Sequence, residues 1–471
     1  MKVWFKLLAG AALGVTLGLL PPLPVETITW LIRLFGFILG LGIGFLLPLP
    51  KLWTKFAVGT AVGLILGLVL GVVMFSLLPN VDRAATLLPG SFLVPINDFI
   101  LSLGRFALFP LVFFSTAVAL NDLAREKKLW KVLGRAVVYM VLASAILVLV
   151  GALFILLFSP ERIPITSRRE TELIFKSWND TLASLVPKNL FQILTGGADF
   201  LLPVYVLSFV LGLHFPFDRG VTEPTVNLFD SLSRIFYHVN SFIIEVLGFG
   251  MIVLAASWLT QVRLIQDIQL YVQVFAVLSL AAAFVLAAVL PFVLWFFGGR
   301  ENPYPWIFGI LGAAIGAFFS GDSFFSLGLA SRLTRENLGV PRKVGSVTLP
   351  LFAMFGRAGT ALTSTIAFFI ILKSYSSLEI SLEQILWTIT FAFALSFALP
   401  SVPGLGAYIN LSLLCSLYGR GLENGYLTLQ PVLPILVSFS ALLDISVASL
   451  ASLLVTRHEK LQKIIPPRLY I

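Results

Sequence analysis

Apolar residues run in long unbroken stretches along most of this chain, and polar residues gather in the short gaps between them. Stretches at about 5–20, 27–47, 52–78, 92–120, 132–158, 198–214, 226–259 and 264–297 predict membrane helices, since about 20 apolar helical residues cross a hydrocarbon core. Four further stretches are interrupted. The first, 306–333, is cut by Ser320, Gly321, Asp322 and Ser323 into halves too short to cross alone, which predicts a re-entrant helical hairpin. The next, 344–372, carries Pro350, Gly356, Arg357 and Gly359 near its middle. A third, 386–417, is broken between Pro400 and Gly406 and predicts a second hairpin, entered from the opposite side. The last, 431–456, carries Asp444 at mid-depth.

Basic residues orient these elements, because cytoplasmic loops collect Lys and Arg. Arg125, Lys127, Lys128, Lys131 and Arg135 predict a cytoplasmic loop, and Arg332, Arg335, Arg342 and Lys343 put the base of the first hairpin on that side. Arg457, His458, Lys460 and Lys463 place the C-terminus there, and the parity of spans places the N-terminus inside; the mixed-charge segment 159–189 falls outside. The last third then reads hairpin, span, hairpin, span, with the second pair inverted, as in secondary transporters with inverted repeats. The expected division is an extra N-terminal hairpin (1–50), six spans (51–300) and a hairpin-rich core (301–471). Trp4, Lys6, Gly10, Gly14 and Gly18 recur as Trp53, Lys55, Gly59, Gly63 and Gly67. Glycines four apart share one helix face and let a neighbouring helix approach closely.

Composition narrows the class. The chain is 58% hydrophobic and 12% charged with mean hydropathy +0.98, which excludes a water-soluble globular domain. Its continuous apolar runs lack the alternation of a barrel, so the fold class is an all-α polytopic membrane protein. The net charge of +9 sits in short loops, which the bias toward positive cytoplasmic loops explains without nucleic acid. The single Cys415 reads as a small buried hydrophobe, and His214, His238 and His458 have no metal-ligand spacing. With no nucleophile–base pair or phosphate loop in view, an enzyme is disfavoured. The apolar N-terminal run is read as a helix rather than a cleaved signal.

The candidate chemistry centres on 348–360, TLPLFAMFGRAGT. Irregular backbone at membrane depth survives only where it lines a cavity or packs in protein. An arginine there needs an anionic partner or a wet cavity. Arg357 therefore reads either as the holder of a small anionic or zwitterionic substrate, or as one half of a self-neutralising pair with Asp444. Asp322 reads as a second partner, or as the N-cap of the hairpin's return helix. Ser401 and the glycines of the second tip offer backbone N–H groups to an anion, or are plain turn residues. Of the hydroxyls after the break, only Thr360 is a site candidate; Thr363, Ser364 and Thr365 are expected to bond back to their own helix.

From about Trp53 to Lys460 the chain resembles the dicarboxylate/amino acid:cation symporter family, the glutamate transporter homologues. The likeness rests on TLPLFAMFGRAGTAL against the family's TLPL…NMDGT, and on Val402, Pro403, Gly404, Gly406 and Ala407 against its VPG-G-A tip. The Leu443–Asp444 step and the residual Ser320, Asp322 and Ser323 of a serine-rich tip complete it. The first fifty residues have no counterpart. The resemblance implies a symporter of a small carboxylate or amino acid that works by an elevator movement, with the second hairpin as outer gate. It implies a homotrimer assembled through 92–120, 198–214 and 226–259, in the cytoplasmic membrane if the source is bacterial. The implied substrate set is Arg357, Asp444, Ser320, Asp322, Ser323, Thr360, Ser401, Val402, Pro403, Gly404 and Gly406.

Departures from the family pattern concern the ions. The Asn and Asp that ligate sodium fall on Gly356 and Ala358, a later Asp on Val455, and a Thr-Ser pair on Ala143 and Ser144. The substrate-binding Arg, Thr and Asn fall on Val447, Ala448 and Ala451, with Arg357 available as a substitute cation. A residual sodium site at Gly356 and Ser144, or protons through Asp444 or Asp322, are the coupling options. A relative that binds or scaffolds without transporting is the alternative the lost ligands favour; the retained helix breaks speak against it.

Overall fold

The computed structural model describes residues 51–77, 94–158, 162–164, 201–263, 265, 267–375, 380–397 and 404–471. The two N-terminal spans, most of 159–189 and Ser401, Val402 and Pro403 lie outside the described residues. Among the described residues every regular element is helical. In chain order they are α1 (Leu52–Leu77), α2 (Val94–Phe106), α3 (Leu108–Arg125), α4 (Leu129–Phe158) and α5 (Leu201–His214). Then come α6 (Arg219–Arg263), α7 (Val272–Phe284), α8 (Leu290–Phe297), α9 (Tyr304–Ser320) and α10 (Ser323–Glu336). The remainder are α11 (Arg342–Phe355), α12 (Ala358–Tyr375), α13 (Leu382–Leu395), α14 (Gly406–Tyr418) and α15 (Leu433–His458). Among the described residues six helical runs are long and apolar enough to cross a membrane: Val94–Arg125, Leu129–Phe158, Gly220–Arg263, Ile268–Phe297, Arg342–Tyr375 and Gly425–His458.

Two compact units divide the chain. One takes the described residues up to 104, residues 242–265 and Ile471; the other takes 105–241 and 266–470. In the first unit, the glycine spacing of α1 does what its period of four predicts. A Cβ on Gly63 would overlap the carbonyl oxygen of Ile252, and one on Gly67 would sit 3.0 Å from that of Ala256. The two backbones are therefore in direct contact along one face, which only small residues allow. Lys55 of α1 also pairs with Glu245.

In the second unit, the span through α11 and α12 is the centre: 94% of its most apolar stretch lies inside the protein, against 44% for α4 and for the span through α7 and α8. Helix α12 packs on α4, α14 and α15, and α9 packs on α10 and α15. A helix apolar all round and buried on all sides is a core helix rather than a lipid-facing one.

The breaks have local causes. Pro350 does not interrupt its helix; it lies inside α11. Proline leaves the carbonyl four residues back without its helical donor. That carbonyl, of Ser346, accepts instead from the Thr116 hydroxyl of α3 at 2.9 Å. The break falls at Gly356 and Arg357, where the backbone leaves helical geometry at φ −106°, ψ 56°. Helix α9 ends on Gly321 in the left-handed conformation (φ 62°), and α10 begins at once behind Asp322. Two residues thus turn the chain back on itself, and α9 packs against α10. Helix α13 opens with a capping box formed by Ser381 and Gln384.

Candidate functional site

Asp444 builds the centre of the site. It lies on α15, buried, and both its oxygens accept hydrogen bonds from the start of α12. Gly359 N donates to Oδ1 at 2.7 Å, Thr360 N donates to Oδ1 at 3.1 Å, and the Thr360 hydroxyl donates to Oδ2 at 2.7 Å. The residue at the N-cap position of α12 is Arg357, whose side chain carries no acceptor. The capping oxygen therefore comes from a helix more than eighty residues away. An acceptor at a helix N-terminus satisfies orphan N–H groups and meets the positive end of the helix dipole. Gly359 is the residue that lets α15 come so close: a Cβ there would sit 2.5 Å from the Leu443 Cβ and 2.6 Å from the Ser440 carbonyl oxygen.

Arg357 lies beside this cap and takes no part in it. Its side chain is 3% exposed. Nε donates to the Ala353 carbonyl at 3.2 Å, and the guanidinium carbon lies 5.3 Å from the centre of the Phe324 ring. Nη2 is buried with no hydrogen-bond partner, and among the described residues no ion pair joins Arg357 to a carboxylate. The self-neutralising pair with Asp444 is not formed. Glycine at 406 is required by this arrangement, because a Cβ there would overlap Nη1 and approach Thr360 Oγ1 at 3.5 Å. Arg357 thus faces the first turn of α14 with one N–H edge uncommitted. In a dry surround, such an edge gains about 1.5–3 kcal/mol from each hydrogen bond to an anionic acceptor.

The tip of the α9–α10 pair has a different use for its carboxylate. Asp322 is 1% exposed and caps α10, accepting from Phe324 N at 2.9 Å and Phe325 N at 3.2 Å. It also accepts from Arg105 Nε at 2.7 Å, so its charge is balanced within the protein. Ser320 bonds within the same turn, its hydroxyl accepting from Asp322 N at 3.2 Å, and Ser323 is buried at the first position of α10. Gly404, just before α14, approaches this turn: a Cβ on it would lie 3.9 Å from the Gly321 carbonyl oxygen. Arg357, Thr360, Asp444 and Gly406 are therefore brought together. Ser320, Asp322 and Ser323 form a tip that touches this cluster through Phe324 and Gly404.

The ion candidates are sparser. Gly356 packs on Met140 of α4, one turn from Ser144, whose buried hydroxyl has no partner. Among the described residues no group of three His, Cys, Asp or Glu side chains is placed to hold a metal. Thr363, Ser364 and Thr365 bond back to carbonyls of their own helix, as expected, and Cys415 is buried.

Comparison of the whole sequence with known families then decides the affiliation. The profile of the Sodium:dicarboxylate symporter family (SDF) matches residues 52–458. The chain belongs to this family. It is accordingly a transporter of the SDF type and not an enzyme. Relatives within the family include the "Proton/sodium-glutamate symport protein" of Geobacillus stearothermophilus, 24% identical over 69% of this chain and 78% of that protein. The protein of the same description from Bacillus subtilis is 24% identical over 69% of this chain and 76% of its own length. "Excitatory amino acid transporter 4" of Rattus norvegicus is 28% identical over 38% of this chain and 32% of its own. Six apolar membrane-length helices among the described residues, together with this affiliation, make the chain an integral, multi-pass membrane protein.

Several residues of this SDF site escape a reading of the sequence. Arg105 pairs with a carboxylate 217 positions away. Ser440 bonds the Thr360 hydroxyl at 2.7 Å, and Asn410 donates to the Ser364 hydroxyl at 2.7 Å while its Oδ1 stays unpartnered. A serine one turn before Asp444, at helical spacing, is the signal available for Ser440. For Arg105 and Asn410 the sequence holds a polar residue in an apolar stretch and nothing that names its partner.

Proposed function

We propose that this SDF-family chain is a secondary active symporter that carries a small carboxylate-bearing substrate, an amino acid or a dicarboxylate, driven by a cation gradient. The observation that carries the reading is the buried guanidinium of Arg357, with Nη2 unpartnered beside the Asp444 cap. Interior charge is costly for a membrane protein to keep, and such groups are functional-site candidates. A substrate carboxylate would complete Arg357, and a substrate ammonium group would take the remaining acceptor capacity of Asp444 Oδ2, with Thr360, Gly404 and Gly406 shaping the wall. Ser320, Asp322 and Ser323 on one tip, and Ser401, Val402 and Pro403 on the other, close the site. The relatives named as glutamate symporters support this substrate class.

In this reading α9–α10 and α13–α14 are re-entrant hairpins of an inverted repeat, and 1–50 adds an N-terminal hairpin. Residues 301–471 form the transport core, which moves as an elevator against a scaffold drawn from 51–300, in a homotrimer with both termini cytoplasmic. The driving cation is sodium, held by the Ser144 hydroxyl and backbone oxygens near Gly356, or a proton carried on Asp444 or Asp322. Sodium needs several oxygen ligands, preferably with a carboxylate, and Gly356, Ala358 and Val455 supply no side-chain oxygen.

Reconstitution tests all of this together. The full chain in liposomes is given labelled glutamate, aspartate, neutral amino acids and dicarboxylates, with sodium and proton gradients imposed separately. Gradient-dependent uptake of at least one carboxylate is expected, and the gradient that drives it names the cation. Failure of every substrate under both gradients would overturn the proposal in favour of a non-transporting scaffold.

A further inference from the structure

The second unit holds an apolar crevice whose lining does not include Arg357, Thr360 or Asp444. It opens between α4, α8 and α15, encloses about 90 Å³, and is lined by Leu147, Val293, Phe297, Val447, Leu450 and Leu454 among other apolar residues. Its wall on α8 has a backbone origin. Pro291 removes a donor and would clash with the carbonyl four residues before it; the chain relaxes into the π-helical turn Val285–Val289, whose last residue lines the crevice. The rim residues Leu142 and Phe297 are 41% and 40% exposed. In a membrane-crossing run such residues face hydrocarbon.

The crevice has one polar end. Tyr139 is its only lining residue with a polar side chain, and Tyr139 Oη lies 2.9 Å from His458 Nδ1. The Tyr139 ring also meets Phe297 at 6.3 Å between centroids, so α4 near its start and α8 and α15 at their ends converge there. One and two turns nearer the start of α4, on the same face, stand Arg135 and the exposed Lys131. Arg135 pairs with Glu459, and Lys131 has no carboxylate among the ion pairs of the described residues. Read from the helix start, this face is cationic, cationic, aromatic with a hydroxyl, then apolar for about 10 Å from Tyr139 to Ile146. A phospholipid presents phosphate, glycerol ester and acyl chain in the same order, and basic residues at a span end attract anionic headgroups.

We propose that this crevice binds one anionic glycerophospholipid, with an acyl chain between α4, α8 and α15 and its phosphate at Lys131 and Arg135. Aromatic side chains at the depth of Tyr139 favour the ester region, where one end is apolar and the other wet. The lipid would bridge three helices of the unit that carries the Arg357 cluster.

Native mass spectrometry of the full chain in detergent tests it, with palmitoyl-oleoyl phosphatidylglycerol and phosphatidylcholine added in turn. The wild type is expected to retain one phosphatidylglycerol per chain and to release phosphatidylcholine. Val293→Trp fills the crevice and should lower retention by about tenfold, the loss of about two buried methylenes. Lys131→Gln should weaken phosphatidylglycerol by about fivefold and leave phosphatidylcholine unchanged. Val137→Trp, on another exposed face of α4, should match the wild type. Lys131→Gln changes an exposed residue, so it decides the matter even if Val293→Trp does not fold. Equal retention of the two lipids by the wild type, or unchanged phosphatidylglycerol retention in either folded variant, overturns the proposal. So does a wild-type oligomer that Val293→Trp dissociates without changing lipid retention, because a second copy then fills the crevice.

Discussion

Replacing Arg357 by Met separates two roles that look alike from a distance. If Arg357 were one half of a structural ion pair, its removal would strand a buried carboxylate and cost about 3–5 kcal/mol. The geometry says otherwise. Asp444 is satisfied by Gly359, Thr360 N and the Thr360 hydroxyl, none of which the substitution touches. What the ligand-free protein loses is the bond from Nε to Ala353 and the contact with the Phe324 ring, each worth about 1 kcal/mol. What it gains is relief from an unpartnered buried Nη2, worth about 1–3 kcal/mol. Methionine fills much of the volume without a charge. The net expectation is ligand-free stability within about 1 kcal/mol of the wild type.

Substrate affinity should move the opposite way. Two charge-assisted bonds to a carboxylate are worth about 3–6 kcal/mol together, which is about 10²- to 10⁴-fold in Kd. The assay pairs thermal unfolding of the ligand-free chain in detergent with equilibrium binding of whichever labelled carboxylate the wild type takes up in liposomes. A large loss of ligand-free stability, or binding within a few-fold of wild type, would refute the reasoning.

The remaining expectations follow from single contacts. Asp444→Ala leaves two N–H groups and a hydroxyl at the start of α12 without acceptors and should cost about 2–4 kcal/mol, read as a fall in unfolding temperature; Asp444→Asn, which keeps one oxygen, should lose less. Arg105→Met should destabilise by about 3–5 kcal/mol because Asp322 is buried and charged, and in a double-mutant cycle Asp322→Asn should recover part of that loss. Gly63→Leu should prevent α1 from seating on α6, since a Cβ there already overlaps the Ile252 carbonyl; loss of folded protein in size-exclusion chromatography checks it. Gly339 has φ 67° and receives the C-terminal segment through Lys463 N at 3.0 Å. A Cβ there would overlap the Lys463 carbonyl oxygen, so Gly339→Ala should release residues after His458 to limited proteolysis while the rest of the chain stays folded.

Local chemistry set the positions of the elements in advance. Among the described residues, runs of apolar residues of membrane length became helices, and the interruption at Gly321 and Asp322 became the turn between α9 and α10. Asp322 capped its helix as its position suggests. These outcomes need only neighbours in sequence, because helix length, caps and left-handed turns are decided within about four residues. Pro350 marks the limit of that reasoning. Its cost is real locally, but a hydroxyl from α3 absorbed it, and the break moved to Gly356. Partners across the chain are a matter of packing alone. Whether Arg357 is neutralised or left free depends on where α15 puts the Asp444 carboxylate, and that depends on Gly359 admitting the Ser440 carbonyl to close range. The sequence determined that a cation and two carboxylates would be buried. Only the tertiary structure decided that one carboxylate caps a distant helix, the other pairs with Arg105, and the cation keeps an open edge, because each assignment depends on groups far apart in sequence that packing brings within, or leaves outside, hydrogen-bonding distance.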